Sequence, residues 1–217
     1  EIALIRSEDN LHEFTVENLQ KIDVAIEFTQ PNSAVQNIMK CFEANIPVVV
    51  GTTAWQEHLP KVKAFCAENN QTLLTSSNFS IGVNIFFEIN RKLAQIMHQN
   101  PADVPSMTEI HHTEKKDAPS GTAVTLALDL VDQLHLNGWS LVDELNNREK
   151  GTLPIIALRE PNVPGTHSIL YESDVDQIEI IHTAKSRRGF AAGAIRAAEF
   201  IYGKKGFFEM KDVLNFS

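Results

Sequence analysis

The sequence has 217 residues, 43% of them hydrophobic, and a formal net charge of −9. This length buries the core of one large domain or two small ones, and an acidic chain without a basic stripe is not typical of general nucleic-acid-binding proteins. No apolar run approaches the ~20 residues that span a bilayer, and we find no signal peptide at the start. The two cysteines, Cys41 and Cys66, lie in helical apolar patterns, and we expect buried reduced thiols, which suit the cytoplasm.

The first half of the chain alternates between strand-like and helix-like segments. Helical patterns follow Pro31 and Leu59, each carrying apolar residues at helical spacing. Short apolar runs lie around them, as in strands that are covered on both faces. The candidate strands are IALI (2–5), VAIEF (24–28), PVVV (47–50) and TLLT (72–75). Strands alternating with helices predict a parallel α/β sheet.

Small or polar residues follow three of these strands. In parallel α/β sheets, ligands bind outside the carboxyl ends of the strands, so these loops are candidates for a binding edge. They are Phe28-Thr29, Gly51-Thr52-Thr53 and Ser76-Ser77-Asn78-Phe79. However, the first strand is followed by Arg6-Ser7-Glu8-Asp9, and no glycine-rich dinucleotide-binding turn is present there. The motif alone therefore does not predict a cofactor site.

The second half of the chain has a different pattern. Helices are predicted over 83–98 and 121–136, and strands over 106–113, 155–160, 166–172 and 177–183. Strands that cluster with few helices between them predict an antiparallel or mixed sheet in a second, α+β domain. A final helix, rich in small residues, is predicted over 190–202.

The stretch EIHHTEKKDAPSGTA, from Glu109 to Ala123, concentrates groups that can do chemistry. Strand alternation places His111 and His112 on opposite faces, so they are not equivalent ligands of one metal, and no third ligand stands at zinc-like spacing. Pro-Ser-Gly-Thr opens a helix whose free N–H groups suit a carboxylate or phosphate. A histidine beside a lysine and such a cradle could donate protons to a carboxylate-bearing substrate. From spacing alone, a capped helix with solvated lysines remains the alternative.

This stretch resembles the E-x-H-H-x-x-K-x-D-A-P-S-G-T-A signature of the 4-hydroxy-tetrahydrodipicolinate reductase (dihydrodipicolinate reductase) family. Five further segments resemble family motifs and lie in the same order along the chain. They are AIEFTQP (25–31), VVVGTT (48–53), SSNFSIGVN (76–84), VPGTHSILY (163–171) and IHTAKSRRGFAAGAIRAA (181–198). The resemblance implies NAD(P)H-dependent reduction of a cyclic dicarboxylate to tetrahydrodipicolinate, in diaminopimelate and lysine biosynthesis.

The resemblance also implies roles for individual residues. His111 would be the catalytic acid/base and Lys115 the proton donor, whereas Lys116 falls on a variable position of the signature. The substrate would be held by His112, Ser120, Gly121 and Thr122. The nicotinamide cofactor would lie along Phe28, Thr29, Gly51, Thr52, Thr53, Ser76, Ser77, Asn78 and Phe79. No metal is implied.

The chain departs from the family pattern at its N-terminus. The family begins with a strand and a glycine-rich loop, which this sequence does not show, and we expect the natural chain to be longer by one βα unit of roughly 25–35 residues. EIALIRS (1–7) then corresponds to the second strand and places Arg6 at the adenine-side ribose. Because no acidic residue occupies Ile5 or Arg6, this position favours NADPH over NADH.

The resemblance further implies two domains and a homotetramer. Residues 1–78 with 187–217 would bind the dinucleotide, in a Rossmann-like parallel sheet. Residues 79–186 would form the α+β domain that binds the substrate and assembles the tetramer.

Two rival hypotheses are another Rossmann reductase of amino-acid metabolism and a non-catalytic protein that senses a dicarboxylate. A glycine-rich loop upstream of Glu1 would count against the sensor.

Overall fold

The structure is a computed structural model that describes residues 11–99, 105–147, 149–186 and 188–216. The predicted strand at 2–5 and Arg6 lie outside the described residues. The chain divides into two compact units: one is formed by Glu1–Ile81 with Gly189–Ser217, and the other by Gly82–Arg188.

The first unit is built on a parallel sheet of four strands in the order β1-β2-β3-β9. The strands are β1 (Ala25–Glu27), β2 (Val48–Val50), β3 (Thr72–Thr75) and β9 (Gly206–Phe208). The central strand β2 is buried along its whole length, as expected for a strand covered on both faces. The predicted parallel α/β sheet is thus confirmed.

Helices cover both faces of this sheet. The helices of the unit are α1 (Val16–Leu19), α2 (Pro31–Glu43), α3 (Leu59–Glu68), α6 (Arg188–Ile201) and α7 (Met210–Leu214). Pro31 occupies the first turn of α2, where its missing N–H costs nothing. One core lies among α2, α3 and the residues Val48, Val50 and Leu73. A second core joins α6 and α7 to Val49 and Leu74, whose side chains alternate to the opposite face.

Gly193 allows α6 to approach the loop after β3 closely. A Cβ atom on Gly193 would lie 1.7 Å from the carbonyl oxygen of Phe79, far inside van der Waals contact. Any larger residue would therefore force the helix away from the sheet.

The second unit contains a mixed sheet of five strands in the order β5-β6-β4-β7-β8. The strands are β4 (Ser106–His111), β5 (Gly138–Leu141), β6 (Thr152–Arg159), β7 (Thr166–Glu172) and β8 (Gln177–Thr183). β4 pairs in parallel with β6 and antiparallel with β7, and β7 pairs antiparallel with β8. The predicted mixed sheet is confirmed.

Helices α4 (Ile81–His98) and α5 (Gly121–Leu134) pack on one face of the mixed sheet. Their apolar residues form a core with the inward side chains of β4, β6 and β7. A buried hydrogen bond, in which Asn90 Nδ2 donates to the carbonyl of Leu126 at 3.2 Å, joins the two helices. The position of α5 over the sheet therefore fixes where its N-terminus lies relative to β4.

The sequence analysis missed two short strands and two short helices. β5 and β9 have four and three residues, and α1 and α7 have four and five. Such segments carry too little periodicity to be recognised, and β9 exists because β3 offers its backbone as a partner. The predicted strand at 106–113 ends at His111, so His112 lies beyond it.

Cys41 and Cys66 are buried free thiols, and burial raises the pKa of Cys41 to about 12. None of the described helices has the length and apolar character needed to cross a bilayer.

Candidate active site

Strand β4 directs three side chains into the interior of the second unit. The exposed fractions of Met107, Glu109 and His111 are 0%, 0% and 8%, and the residues between them are more exposed. This alternation follows from the period of two in a strand. His112, just past the strand, is half-buried. A carboxylate and an imidazole thus lie on the inward side of a strand, where apolar residues are usual.

His111 lies in a tight, mostly buried environment. Its ring meets that of His167 edge-on, with the centroids 5.1 Å apart. Its Nδ1 atom is buried and has no hydrogen-bond partner among the described residues. Burial lowers the pKa of His111, while the nearby Glu109 carboxylate opposes that shift and the cations of Lys115 and Arg159 add to it. At neutral pH the imidazole is therefore mostly uncharged.

Lys115 lies in the loop between β4 and α5. Its backbone N–H donates to the carbonyl of His112 at 3.1 Å, which closes a turn directly after the strand. The Nζ atom lies 2.8 Å from both carboxylate oxygens of Asp117, and this hydrogen bond lowers the pKa of Asp117. The Lys115 side chain is 20% exposed, whereas Lys116 is exposed. The loop thus keeps the Lys115 ammonium group near the surface and paired.

Ser120 caps the N-terminus of α5. Its extended backbone and its hydroxyl, which accepts from the N–H of Ala123 at 3.2 Å, are typical of an N-cap. The same hydroxyl lies 3.1 Å from His167 Nε2, and burial lowers the pKa of His167 to about 3. Gly121 follows and is exposed, and a Cβ atom there would meet nothing within 4 Å. The first turn of α5 is therefore held by Ser120 and open on the side of Gly121, which suits an anion.

Glu109 makes several polar contacts although it is fully buried. Both carboxylate oxygens accept from the backbone N–H of Ser120, at 3.1 and 3.0 Å. Arg159, at the end of β6, forms an ion pair with the same carboxylate, with Nη1 and Oε1 3.4 Å apart. Glu109 therefore joins three elements: β4, β6 and the start of α5.

Glu109, His111 and His167 are the kind of cluster that can hold a metal ion, and their ligand atoms lie within 4.8 Å of one another. Tetrahedral zinc, with bonds of about 2.0–2.1 Å, needs ligand atoms roughly 3.3 Å apart. The Glu109 oxygens already accept from Ser120, and a guanidinium group lies beside them. The arrangement fits a hydrogen-bonded network better than a metal site.

The predicted ligand edge of the first unit lies at the ends of β1, β2 and β3, which are adjacent and parallel. The N–H of Thr29 donates to Thr52 Oγ1 at 2.8 Å, so the first two loops are joined. The Phe28 ring covers Gly51, where a Cβ atom would lie 2.2 Å from it. Trp55 Nε1 donates to the carbonyl of Thr52 at 2.7 Å, and this buried hydrogen bond fixes the second loop.

The third loop is ordered by its own side chains. Ser76 Oγ donates to the carbonyl of Asn78 at 2.7 Å, and the Asn78 side chain accepts from the N–H of Ser80 at 2.8 Å. Ser77 is exposed, whereas Phe79 is buried and its ring lies 5.4 Å from that of Phe28. Phe28, Thr29, Gly51, Thr52 and the loop from Ser76 to Phe79 therefore form one edge, and Thr53 is exposed beside it.

Glu27 gives this edge an unused acceptor. Its side chain is 6% exposed; Oε1 accepts from the N–H and hydroxyl of Thr29 and from Asn37, while Oε2 is buried without a partner among the described residues. Hydroxyl and amide donors of a nicotinamide dinucleotide would satisfy such an oxygen. The residues present therefore fit a dinucleotide at this edge.

Three residues of the second unit receive no role from the sequence: Glu109, which lies in the signature, Arg159 and Gly165. For His167, in a predicted strand, the sequence favours a hydrogen-bonded structural role, with a place next to the substrate pocket as the alternative. A charged residue on the inward side of an alternating strand was an available signal for Glu109. No comparable signal existed for Arg159 and Gly165, because only the pairing of β4 with β6 and β7 brings them beside His111.

The fold and these sites define an α/β oxidoreductase with a Rossmann-like sheet and a separate mixed-sheet unit. Family models described as the N-terminus and the C-terminus of dihydrodipicolinate reductase match residues 5–79 and 82–214. The chain therefore belongs to the dihydrodipicolinate reductase family, which confirms the resemblance. The family uses a nicotinamide cofactor and acts in diaminopimelate and lysine biosynthesis.

Two curated relatives are named 4-hydroxy-tetrahydrodipicolinate reductase. That of Christiangramia forsetii is 50% identical over 196 residues, covering 90% of this chain and 80% of its own. That of Methanoculleus marisnigri is 36% identical over 201 residues, covering 91% and 77%. Among solved structures, a dipicolinate-bound dihydrodipicolinate reductase from Paenisporosarcina sp. TG-14 has a TM-score of 0.72 at 24% identity, covering 93% of this chain and 76% of that one. The last similarity confirms the fold.

Proposed function

We propose that the protein reduces 4-hydroxy-tetrahydrodipicolinate to tetrahydrodipicolinate, with loss of water and with NADPH or NADH as reductant. The support is family membership, with a relative of that name at 50% identity over most of both chains. The observation that carries the proposal is the second unit, where a buried histidine, a lysine loop and a capped helix N-terminus come from one signature.

His111 is the proposed acid/base, and Lys115 the proposed proton donor. A reduction that places negative charge on a ring atom needs an acid nearby. The lowered pKa of His111 keeps the imidazole mostly neutral and able to accept a proton, and once protonated it is a stronger acid than an ordinary histidine. Lys115 can supply a proton from its ammonium group once it leaves Asp117, since their ion pair is partly exposed. Its place in a loop leaves room for that movement.

The substrate carboxylates are proposed to bind His112, Ser120, Gly121 and Thr122. Ser120 directs its hydroxyl into its own cap, so its contribution is chiefly to fix the first turn of α5. Gly121 leaves the approach to that turn unobstructed. The positive end of the helix dipole and backbone N–H groups favour a carboxylate there.

The cofactor is proposed to bind along the strand-end edge of the first unit. The proposed contacts are Phe28, Thr29, Gly51, Thr52, Thr53, Ser76, Ser77, Asn78 and Phe79. When bound, the reduced nicotinamide supplies the hydride, and the protein contributes position and protons. We favour NADPH, because Arg6 would suit the 2′-phosphate. The first unit is thus assigned to the dinucleotide and the second to the substrate.

The second unit is also proposed to build a homotetramer. Its sheet has an outer face, opposite α4 and α5, on which Leu158 and Ile181 are 42% and 57% exposed. Exposed apolar side chains on a sheet face are typical of an assembly surface. Sedimentation velocity on the full-length protein and on Ile181→Glu tests this: a tetramer that the substitution dissociates supports it, and a monomeric wild-type protein contradicts it.

Turnover of the full-length protein tests the proposed roles. His111→Ala and Lys115→Ala should each lower kcat by at least about a hundredfold, with unchanged cofactor affinity. Lys116→Ala is the matched control for the lysine, and His58→Ala, at an exposed position, is the control for the histidine. Wild-type kcat in either site variant would overturn that residue's role.

A further inference from the structure

A buried carboxylate, that of Glu109, and the guanidinium group of Arg159 lie next to His111, the proposed acid/base. Glu109 is fully buried, yet it belongs to no apolar cluster. Its two oxygens accept from the single N–H of Ser120. That N–H belongs to the N-cap of α5, so the carboxylate fixes the residue from which the helix starts.

The Arg159 side chain binds backbone carbonyls of the loop that carries Lys115. Nη2 donates to the carbonyl of Asp117 at 2.6 Å, and Nε donates to the carbonyl of Lys115 at 3.3 Å. Nη1 donates to the carbonyl of Leu158 on its own strand at 2.7 Å and lies 3.4 Å from Glu109. One planar guanidinium group therefore holds the loop against β6 and against the carboxylate at the same time.

The Glu109 carboxylate is costly to bury, whereas the Arg159 side chain is 21% exposed, and this makes a purely stabilising role of the pair a poor explanation. Removing a carboxylate from water is unfavourable, and well-packed apolar residues often replace buried ion pairs without loss of stability. Hydrogen bonds to a backbone N–H and to two backbone carbonyls, however, fix geometry that apolar packing would not specify. The backbone N–H that Glu109 fixes belongs to Ser120, at the proposed site for the substrate carboxylate. The carbonyls that Arg159 fixes belong to the loop of Lys115, the proposed proton donor.

We propose that Glu109 and Arg159 form a positioning pair that holds the Lys115 loop and the N-terminus of α5 in register with His111. The proposal rests on the roles of His111, Lys115 and α5 given under the proposed function. Neither member contacts the substrate; both act through the backbone of Lys115, Asp117 and Ser120.

The pair also sets the charge around His111. Among the described residues, the charged and titratable groups that act on this imidazole come from β4, the loop, β6 and β7; they are Glu109, His112, Lys115, Arg159 and His167. Glu109 is the only anion among them and favours the protonated imidazole. Loss of its charge alone should therefore move the His111 titration to lower pH.

Two substitutions separate charge from shape. Glu109→Gln keeps an oxygen that can accept from Ser120 but removes the charge, and Arg159→Lys keeps a cation that cannot reach both loop carbonyls. Matched controls are Glu114→Gln and Glu160→Gln, which remove exposed carboxylates next to the loop and next to Arg159. All variants are made in the full-length protein and checked for thermal unfolding and for NADPH affinity.

The expected result is a loss of at least about tenfold in kcat for each variant, with near wild-type NADPH affinity. The double variant should lose little more than the worse single variant, because the two groups act as one unit. In Glu109→Gln, the His111 titration followed by NMR and the corresponding limb of the pH–rate profile should both move to lower pH. The controls should keep kcat and the titration.

Two results would overturn the proposal: wild-type kcat and His111 titration in both variants, or activity lost only in proportion to the unfolded fraction with an unchanged pH profile. The His111 titration does not depend on the reaction, so the proposals fail separately. If His111→Ala remains active while the His111 titration moves in Glu109→Gln, the proposed positioning pair is supported and the proposed catalytic role of His111 is wrong.

Discussion

Gly165 lies directly against the imidazole of His111. A Cβ atom on Gly165 would be 3.2 Å from His111 Nε2, closer than ordinary van der Waals contact. The loop before β7 therefore limits where the His111 ring can lie. The ring fits there because Gly165 has no side chain.

Gly165→Ala should displace the His111 ring by a few tenths of an ångström and lower kcat by about tenfold or more, because proton transfer depends steeply on position. Gly138→Ala is the matched control: its φ of 154° is close to the 158° of Gly165, but a Cβ atom there meets nothing within 4 Å. Steady-state kinetics of both variants checks the prediction. Equal losses in the two would mean that backbone strain, and not contact with His111, is responsible.

The buried His167 should make stability fall in mild acid. Its pKa is lowered from 6.5 to about 3 in the folded protein, chiefly by burial. Below pH 6.5 the unfolded chain therefore binds a proton that the folded protein does not. The free energy of unfolding should decrease with falling pH, with a slope from this residue that approaches about 1.4 kcal/mol per pH unit. His111 and His182 contribute with the same sign, since burial lowers the pKa of each.

Urea unfolding at about pH 7.5 and about pH 5.5 measures this dependence. His167→Gln keeps a polar partner for Ser120 but does not titrate, so its stability should depend less on pH than that of the wild type. His58→Gln, at an exposed histidine, should leave the dependence unchanged. A wild-type slope in His167→Gln would show that His167 is not held neutral.

Gly193 should be intolerant of any side chain. Gly193→Ala places a methyl group on the carbonyl oxygen of Phe79 and should lower the free energy of unfolding by about 1–3 kcal/mol. Gly189→Ala is its control in the same helix, because the nearest atom to its Cβ is Ser80 Oγ at an ordinary 3.7 Å. Denaturant titration compares the two; equal effects would show that α6 does not pack tightly at Gly193.

Arg6 is expected to decide between the two reductants. Arg6→Asp removes the cation proposed for the 2′-phosphate and supplies an acceptor for a 2′-hydroxyl, so the ratio of NADPH to NADH affinity should fall by at least about tenfold. Isothermal titration of both cofactors into the full-length protein checks this, with Arg91→Asp, which lies in the second unit, as the control. An unchanged ratio would remove the basis for preferring NADPH.

Local patterns predicted most of the fold. β3, β7 and β8 have the predicted limits, and α2 begins at Pro31, as predicted, because periodicity and a proline in the first turn are local signals. β9 was not recognised, because three residues become a strand only when β3 pairs with them.

The candidate site was also predictable only where its residues are close together in the sequence. His111, Lys115 and Ser120 lie within one stretch of sequence, and a motif can reveal them together. Arg159 and His167 reach that stretch only through the register of β6 and β7 with β4, in which His111 pairs with Arg159 and Glu109 with His167. Strand register is a tertiary property, so neither residue could be assigned from spacing.

The proposed reaction is tested most directly by the rate of NADPH oxidation by the full-length protein when 4-hydroxy-tetrahydrodipicolinate is supplied, with and without the His111→Ala substitution. We expect turnover that depends on this substrate and falls by at least about a hundredfold in the variant. NADPH binding without substrate-dependent oxidation in the wild-type protein would contradict the proposed reaction.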